Sequence, residues 1–203
     1  MTVIAAVAML LGGLAAAAPA SAVAIPSDLN GHKFWSSYIC VDGSAINGDY
    51  YRVAYIAQQW NIRSGYNLHL DYEDDCAVAG YPPSRRMVVG TYNNVNDANC
   101  LVVTNAQTEG YGGFARWTNG PGIYINTAFS TCVGGQGARD KIVSQSIGYL
   151  LGLKILNSEA YNSRVMNNTE WSRTYVTLPD TNSGSRLANL YTNVYCQPEG
   201  TVC

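Results

Sequence analysis

The stretch from Gln145 to Ile155 places polar side chains at helical spacing, and its residue types are those that could do chemistry. Gln145 and Tyr149 lie one helical turn apart, so an amide and a phenol project from the same face of a helix. Ser146 adds a hydroxyl beside them, and Gly152 can end the helix in the left-handed conformation. Two interpretations follow: a hydrogen-bonded cluster that fills a cleft, or a packed core helix whose polar atoms are satisfied by backbone groups.

The same stretch resembles the zinc motif of the metzincin metalloproteases, H-E-x-x-H-x-x-G-x-x-H, in a frame that fits without a gap. The glycine of the motif falls at Gly152. In that family three His side chains hold zinc, and the Glu is the general base. Here the ligand positions are occupied by Gln145, Tyr149 and Ile155, and Ser146 stands at the position of the base.

These replacements predict that zinc-protease chemistry is lost. An aliphatic side chain offers zinc no ligand atom, and an amide and a phenol are poor substitutes for imidazole. A serine hydroxyl has no proton-accepting state near neutral pH that could replace the carboxylate. We therefore predict no catalytic residue, no bound metal and no other cofactor.

Further segments are similar to the metzincin pattern, in the same order along the chain. Ser163 to Asn167 looks like the methionine turn, and Leu187 to Tyr191 looks like part of the closing helix. Upstream, Val53 to Trp60 is similar to the first helix, and Gly122 to Asn126 to the strand before the active-site helix. The resemblance implies a zincin-like α+β fold: a mixed twisted sheet, an active-site-type helix, a methionine turn and a C-terminal helix, braced by disulfides. The residues expected to line a vestigial cleft are Gln145, Ser146, Tyr149, Gly152, Ile155 and Met166.

Hydrophobic periodicity predicts the secondary structure separately from the resemblance. Apolar residues at three-to-four spacing predict helices, which cover Gly48 to Gly65, Ala138 to Leu151 and Ser183 to Tyr191. Alternating and short apolar runs between turn residues predict strands, which cover Tyr66 to Asp71, Arg86 to Thr91, Leu101 to Asn105 and Gly122 to Asn126.

The beginning of the chain predicts export. Residues 1–22 combine an uncharged apolar run with an A-x-A cleavage site and are typical of a secretory signal peptide. We therefore expect residues 23–203 to form one extracellular domain with no membrane association after cleavage. An even number of dispersed cysteines in an oxidising compartment predicts three disulfides of open connectivity, formed by Cys40, Cys76, Cys100, Cys132, Cys196 and Cys203.

Charge and the remaining ionisable residues exclude some functions. The formal net charge is −2, and the basic residues are scattered, so a nucleic-acid partner is not expected. His32 and His69 are interpreted as ordinary surface or hydrogen-bonded histidines. His69 and Asp71 share a strand face, but no activated serine accompanies them. The acidic run Glu73 to Asp75 is interpreted as a solvated loop, with a calcium site as the alternative.

The predicted function is therefore a non-catalytic, metzincin-like protein that binds an extended peptide or an extracellular protein by strand addition. The segment Phe114 to Thr118 is expected to supply the binding edge, with Arg116 and Trp117 as anchoring residue types. Two alternatives remain open. One is an active extracellular hydrolase with non-standard ligands, namely Gln145, Tyr149 and a carboxylate such as Glu159. The other is a disulfide-braced cell-surface structural protein.

Overall fold

The computed structural model describes residues 29–104, 107–111, 114–157, 164–168 and 176–192. The predicted signal peptide, Glu159, Cys196 and Cys203 lie outside the described residues. The third predicted disulfide and the suggested carboxylate ligand therefore stay predictions.

The described strands form two sheets, each with both parallel and antiparallel pairs. In chain order the strands are β1 (His32–Lys33), β2 (Tyr38–Asp42), β3 (His69–Glu73), β4 (Arg86–Tyr92), β5 (Leu101–Thr104), β6 (Thr108–Tyr111), β7 (Phe114–Trp117) and β8 (Gly122–Asn126). The larger sheet has the order β3-β2-β4-β8-β5; its first four strands are parallel, and β5 is antiparallel to β8. The smaller sheet has the order β1-β7-β6.

The described helices are α1 (Gly48–Tyr51), α2 (Val53–Arg63), α3 (Ser130–Val133), α4 (Gln136–Leu150) and α5 (Thr181–Tyr191), and a short 3-10 helix, Pro83–Arg85, precedes β4. The predicted helices are thus present, with shifted ends. The first is broken at Arg52, whose φ of 53° ends α1 in the left-handed conformation before α2 begins. Its start is capped by the side chain of Asn47, which accepts from Tyr50 N.

The core lies between the larger sheet and helices α2 and α4. Trp60 of α2 is fully buried, and its indole nitrogen donates to the carbonyl of Ser144 in α4 at 3.2 Å. Gly148 permits this approach, since a β-carbon there would lie 2.9 Å from Trp60 and 2.6 Å from the sulfur of Met166. Helix α4 is therefore held tightly between α2 and the segment that carries Met166.

The larger sheet begins differently from the sequence prediction. β3 starts at His69 and not at Tyr66, because Gly65 and Tyr66 both have positive φ, 62° and 58°, and turn the chain at the end of α2. The predictions for β4 and β8 agree with the structure. Strand β2, whose inner residues are continuously buried, was not predicted, because a short apolar run without alternation carries no period.

Two disulfides tie the described loops to the core: Cys40–Cys76 joins β2 to the segment after β3, and Cys100–Cys132 joins the start of β5 to α3. The described residues therefore form an α+β protein with two mixed sheets and two disulfides. Within these residues, none of the helices has the length and apolar character needed to span a bilayer.

Candidate binding site

Helix α4 is buried around most of its circumference, although it carries many polar residues. Such a helix is stable only if its polar side chains find partners. Asp140 accepts from Arg52 at 3.0 Å, and Ser144 donates to the carbonyl of Thr177 at 3.2 Å. Lys141 is 4% exposed, and its ammonium donates to the carbonyl of Val176 at 3.0 Å. The polar side of α4 thus anchors other segments instead of facing open solvent.

Gln145 connects α4 to the segment around Met166. Its side-chain nitrogen donates to the carbonyl of Val165 and to Oδ1 of Asn168, both at 3.0 Å. Because a backbone carbonyl can only accept, the NH2 group must face Val165, and these two bonds use both of its hydrogens. The residue is 1% exposed. The amide of Gln145, which aligns with the first ligand position of the motif, therefore links α4 to the segment around Met166.

Ser146 and Tyr149, the next two residues aligned with the motif, belong to the packed helix. The hydroxyl of Ser146 donates to the carbonyl of Ile142 one turn earlier at 2.8 Å, and the residue is completely buried. Tyr149 is half-buried and packs against the hydrophobic core. The described residues show no hydrogen bond between Gln145 and Tyr149, so this part of the structure favours the core interpretation over the hydrogen-bonded cluster.

Gly152 ends the helix region in a conformation that requires glycine. Its φ is 115°, and a β-carbon would lie 2.4 Å from the carbonyl oxygen of His32. Asn30 covers the same end, since its side-chain nitrogen donates to the carbonyls of Tyr149 and Leu153 at 2.7 and 3.1 Å. The chain then turns away to Ile155, whose half-buried side chain packs against the core.

The segment with Met166 lies beneath α4 and is fixed from the other side by α5. Asp180 caps α5 through the backbone nitrogen of Ser183, and it also accepts from the backbone nitrogen of Val165 at 2.6 Å. Met166 is 2% exposed, with its sulfur towards Gly148. The structure therefore brings Gln145, Gly148 and Met166 together.

Beside Gln145 is a cavity of about 290 Å³ between α4 and the start of β5. One wall contains the Cys100–Cys132 disulfide, and the opposite wall contains α4. Its lining residues are Ala98, Cys100, Thr131, Cys132, Ala138, Lys141, Ile142, Gln145 and Asn168. Sequence reasoning missed this cavity, because Ala98, Lys141 and Asn168 are far apart in the chain and share no motif.

Strand β5 forms one edge of the larger sheet. The nitrogen of Asn126 donates to the carbonyl of Cys100 at 2.9 Å, and Val102 lies opposite Tyr124 in the antiparallel ladder. Inward and outward backbone groups alternate along such a strand, so the N–H and C=O groups of Leu101 and Val103 point away from the sheet. Among the described residues, no strand pairs with this outer side.

The segment predicted to supply the binding edge lies elsewhere. Phe114 to Trp117 form β7, the central strand of the smaller sheet, which is paired on both sides by β1 and β6. Trp117 is 2% exposed, and its indole nitrogen donates to the carbonyl of Leu150 at 2.8 Å. Arg116 stacks on Trp35 and pairs with Glu109. The assignment of the binding edge to this segment is therefore corrected: a strand paired on both sides cannot accept another, and Trp117 is a core residue.

Both histidines pack against aromatic rings in the described chain. His32 stacks on Trp117, and His69 stacks on Tyr38, each with ring centroids 4.6 Å apart. Asp71 accepts from the hydroxyl of Tyr81. In the part of the chain that the structure describes, no group of three or more His, Cys, Asp or Glu side chains could hold a metal ion.

Comparisons with protein-family models, with curated proteins and with solved structures find no match to this chain. The class of protein is thus defined by the described residues alone: an α+β protein whose polar, buried helix α4 lies beside a cavity and a free sheet edge. Zinc does not fit the three ligand positions of the motif, since Ile155 has no ligand atom and the amide of Gln145 and the phenol of Tyr149 are poor substitutes for imidazole.

Proposed function

We propose that this chain is a secreted, non-catalytic, metzincin-like protein that binds an extended polypeptide segment along the outer edge of β5. This proposal rests on the outer edge of β5, with which no described strand pairs. The cavity between α4 and the start of β5 lies next to this strand. Backbone groups on such an edge supply hydrogen bonds to an added strand, and a neighbouring pocket supplies side-chain selectivity.

The side chains of β5 support binding on the helix side of the sheet. Residues opposite each other in a ladder share a face, so Val103 lies on the face of Ile123 and Leu101 on the face of Ile125. Ile123 and Ile125 are buried, but Val103 is 36% exposed. The face that is covered by helices over β8 thus becomes accessible at β5, where an added strand would lie.

The metzincin assignment is supported by three features of the described residues. The buried helix α4 ends near a glycine with positive φ, Met166 packs beneath that helix, and α5 fixes the Met166 segment through Asp180. The two helix positions that would hold zinc carry Gln145 and Tyr149, and the general-base position carries a buried Ser146 with an internal partner. These replacements support a function in binding and not in hydrolysis.

The binding proposal is tested by selection from a random-peptide phage library on the mature, disulfide-bonded protein. We expect enrichment of peptides that bind in an extended form and whose binding is weakened by Val103→Pro. Val95→Ala, in an exposed turn, is the matched control and should bind like the wild type. Failure to enrich any peptide, or equal binding by Val103→Pro and wild type, would overturn the proposal.

The non-catalytic assignment is tested by metal analysis. Purified protein should retain no stoichiometric zinc after dialysis and should not hydrolyse an unfolded protein substrate. About one zinc per chain, with hydrolysis that a chelator blocks, would contradict this assignment and favour the alternative of a hydrolase with non-standard ligands.

A combined substitution tests the metzincin resemblance separately from binding. We expect a chain carrying Gln145→His, Ser146→Glu, Tyr149→His and Ile155→His to gain about one tightly held zinc, because three imidazoles would converge. A chain with only Gln145→His and Tyr149→His is the control and should hold zinc more weakly. A folded quadruple variant that binds no zinc would show that the four positions do not converge.

A further inference from the structure

The outer edge of β5 has no charged residue and no proline. Its sequence is Leu101-Val102-Val103-Thr104, three apolar residues and one hydroxyl. Natural sheets usually protect such edges with charges, prolines, bulges or covering segments, because unprotected edges pair with other strands. The four residues of β5 carry neither a charge nor a proline, and no described strand pairs with its outer side.

An identical strand is geometrically suited to this edge. If two copies of β5 are arranged antiparallel about a twofold axis through Val102, Leu101 of one copy lies opposite Val103 of the other. Both residues have outward backbone groups, and each such pair exchanges two hydrogen bonds, so the two pairs give about four bonds between the copies. Like charges do not oppose the contact, because the strand carries none.

We infer that a second copy of this chain occupies the β5 edge in the absence of peptide, forming a twofold dimer through β5. The proposed function places a bound peptide on the same backbone groups of Leu101 and Val103. The dimer and the peptide complex are therefore mutually exclusive, and peptide binding converts dimer to monomer. This inference rests on the free β5 edge, as the proposed function does, but it names a different occupant.

Sedimentation velocity over a series of protein concentrations tests the dimer. The wild type should show a concentration-dependent shift from monomer to dimer. Val103→Pro removes the outward N–H of each copy while leaving the inward ladder to β8 intact, so the dimer dissociation constant should rise at least roughly tenfold. Val103→Lys should also weaken the dimer through like charges near the axis, and this weakening should decrease at high salt. Val95→Ala is the control and should associate like the wild type.

Circular dichroism and thermal melting of each variant establish that it is folded, so that loss of association is assigned to the edge. A wild-type chain that stays monomeric at all concentrations overturns the inference, as does a dimer that Val103→Pro and Val103→Lys leave unchanged. Adding a phage-selected peptide should shift wild type to monomer. If the chain binds peptide but never dimerises, the dimer inference is wrong and the proposed function stands. If the chain dimerises but binds no peptide, the proposed function is wrong and the dimer inference stands.

Discussion

The two edge strands of the larger sheet, β3 and β5, differ in whether their outward backbone groups have hydrogen-bond partners among the described residues. At the β3 edge, the backbone of Leu70 points outward, and Asn61 of α2 saturates it: the side-chain nitrogen donates to Leu70 O at 3.0 Å, and Oδ1 accepts from Leu70 N at 2.7 Å. Two exposed acidic residues, Asp71 and Glu73, add charge to this edge. At the β5 edge the described residues provide neither device.

This difference shows that the sheet does not leave its edges open by default. A side-chain amide that imitates a strand, together with charges, is an effective way to prevent strand addition. Among the described residues this protection is present at the β3 edge and not at the β5 edge, and the proposed binding surface rests on this asymmetry.

The largest expected effect is that of opening the protected edge. Asn61→Ala leaves the N–H and C=O of Leu70 without their partner, so the free energy of unfolding should fall by about 2–3 kcal/mol. Chemical denaturation followed by circular dichroism measures this change. Gln58→Ala, on an exposed position of the same helix, is the control and should have little effect. An Asn61→Ala protein as stable as the wild type would mean that the amide does not protect the edge.

The next effect is expected at the open edge. Val103→Pro removes one outward donor and should weaken binding of a phage-selected peptide by roughly tenfold to a hundredfold. Fluorescence anisotropy of a labelled peptide measures the dissociation constant. The stability of this variant should change much less than its affinity, because the outward N–H has no partner among the described residues of the free chain. An unchanged dissociation constant would exclude the β5 edge as the binding surface.

The smallest effect concerns pH at the protected edge. Burial and the hydrogen bond to Asp71 raise the pKa of Tyr81 to about 12, above its ordinary value of 10.0. A raised pKa means that the folded chain keeps the proton longer than the unfolded one, so this contribution to stability is complete below about pH 10 and is lost as pH rises towards 12. Tyr81→Phe should make the fall in unfolding free energy above about pH 10 shallower. A pH profile identical to that of the wild type would show that this phenol does not contribute.

Much of the helical structure could be predicted from the sequence. The three predicted helices are present because their apolar periods are long, and Gly152 has the positive φ that its position predicted. The break at Arg52 could not be predicted, because an arginine in the left-handed conformation has no local sequence signal, and the partner of its side chain, Asp140, is distant in the chain. Strands β1, β2 and β6 were not predicted, because burial on both faces of β2 and the short length of β1 and β6 removed the alternation.

Only part of the candidate site could be predicted from the sequence. Gln145 lies against the Met166 segment, and its bond to the carbonyl of Val165 shows how the amide is used, which the sequence pattern did not indicate. The binding edge was misplaced, because a Trp and an Arg in one short strand look like interface residues whether they are exposed or buried. Which strand has a free edge depends on sheet order, and order is a tertiary property that no local pattern encodes.

Hydrogen–deuterium exchange with residue resolution tests the central claim most directly, because it reports both edges in one experiment. At a protein concentration at which the free chain is monomeric, addition of a phage-selected peptide should protect the amides of Leu101 and Val103, while the amides of Leu70 and Tyr72 on the β3 edge should exchange as before. Peptide binding that protects the β3 edge, or that leaves Leu101 and Val103 unchanged, would contradict the assignment of the β5 edge as the binding surface.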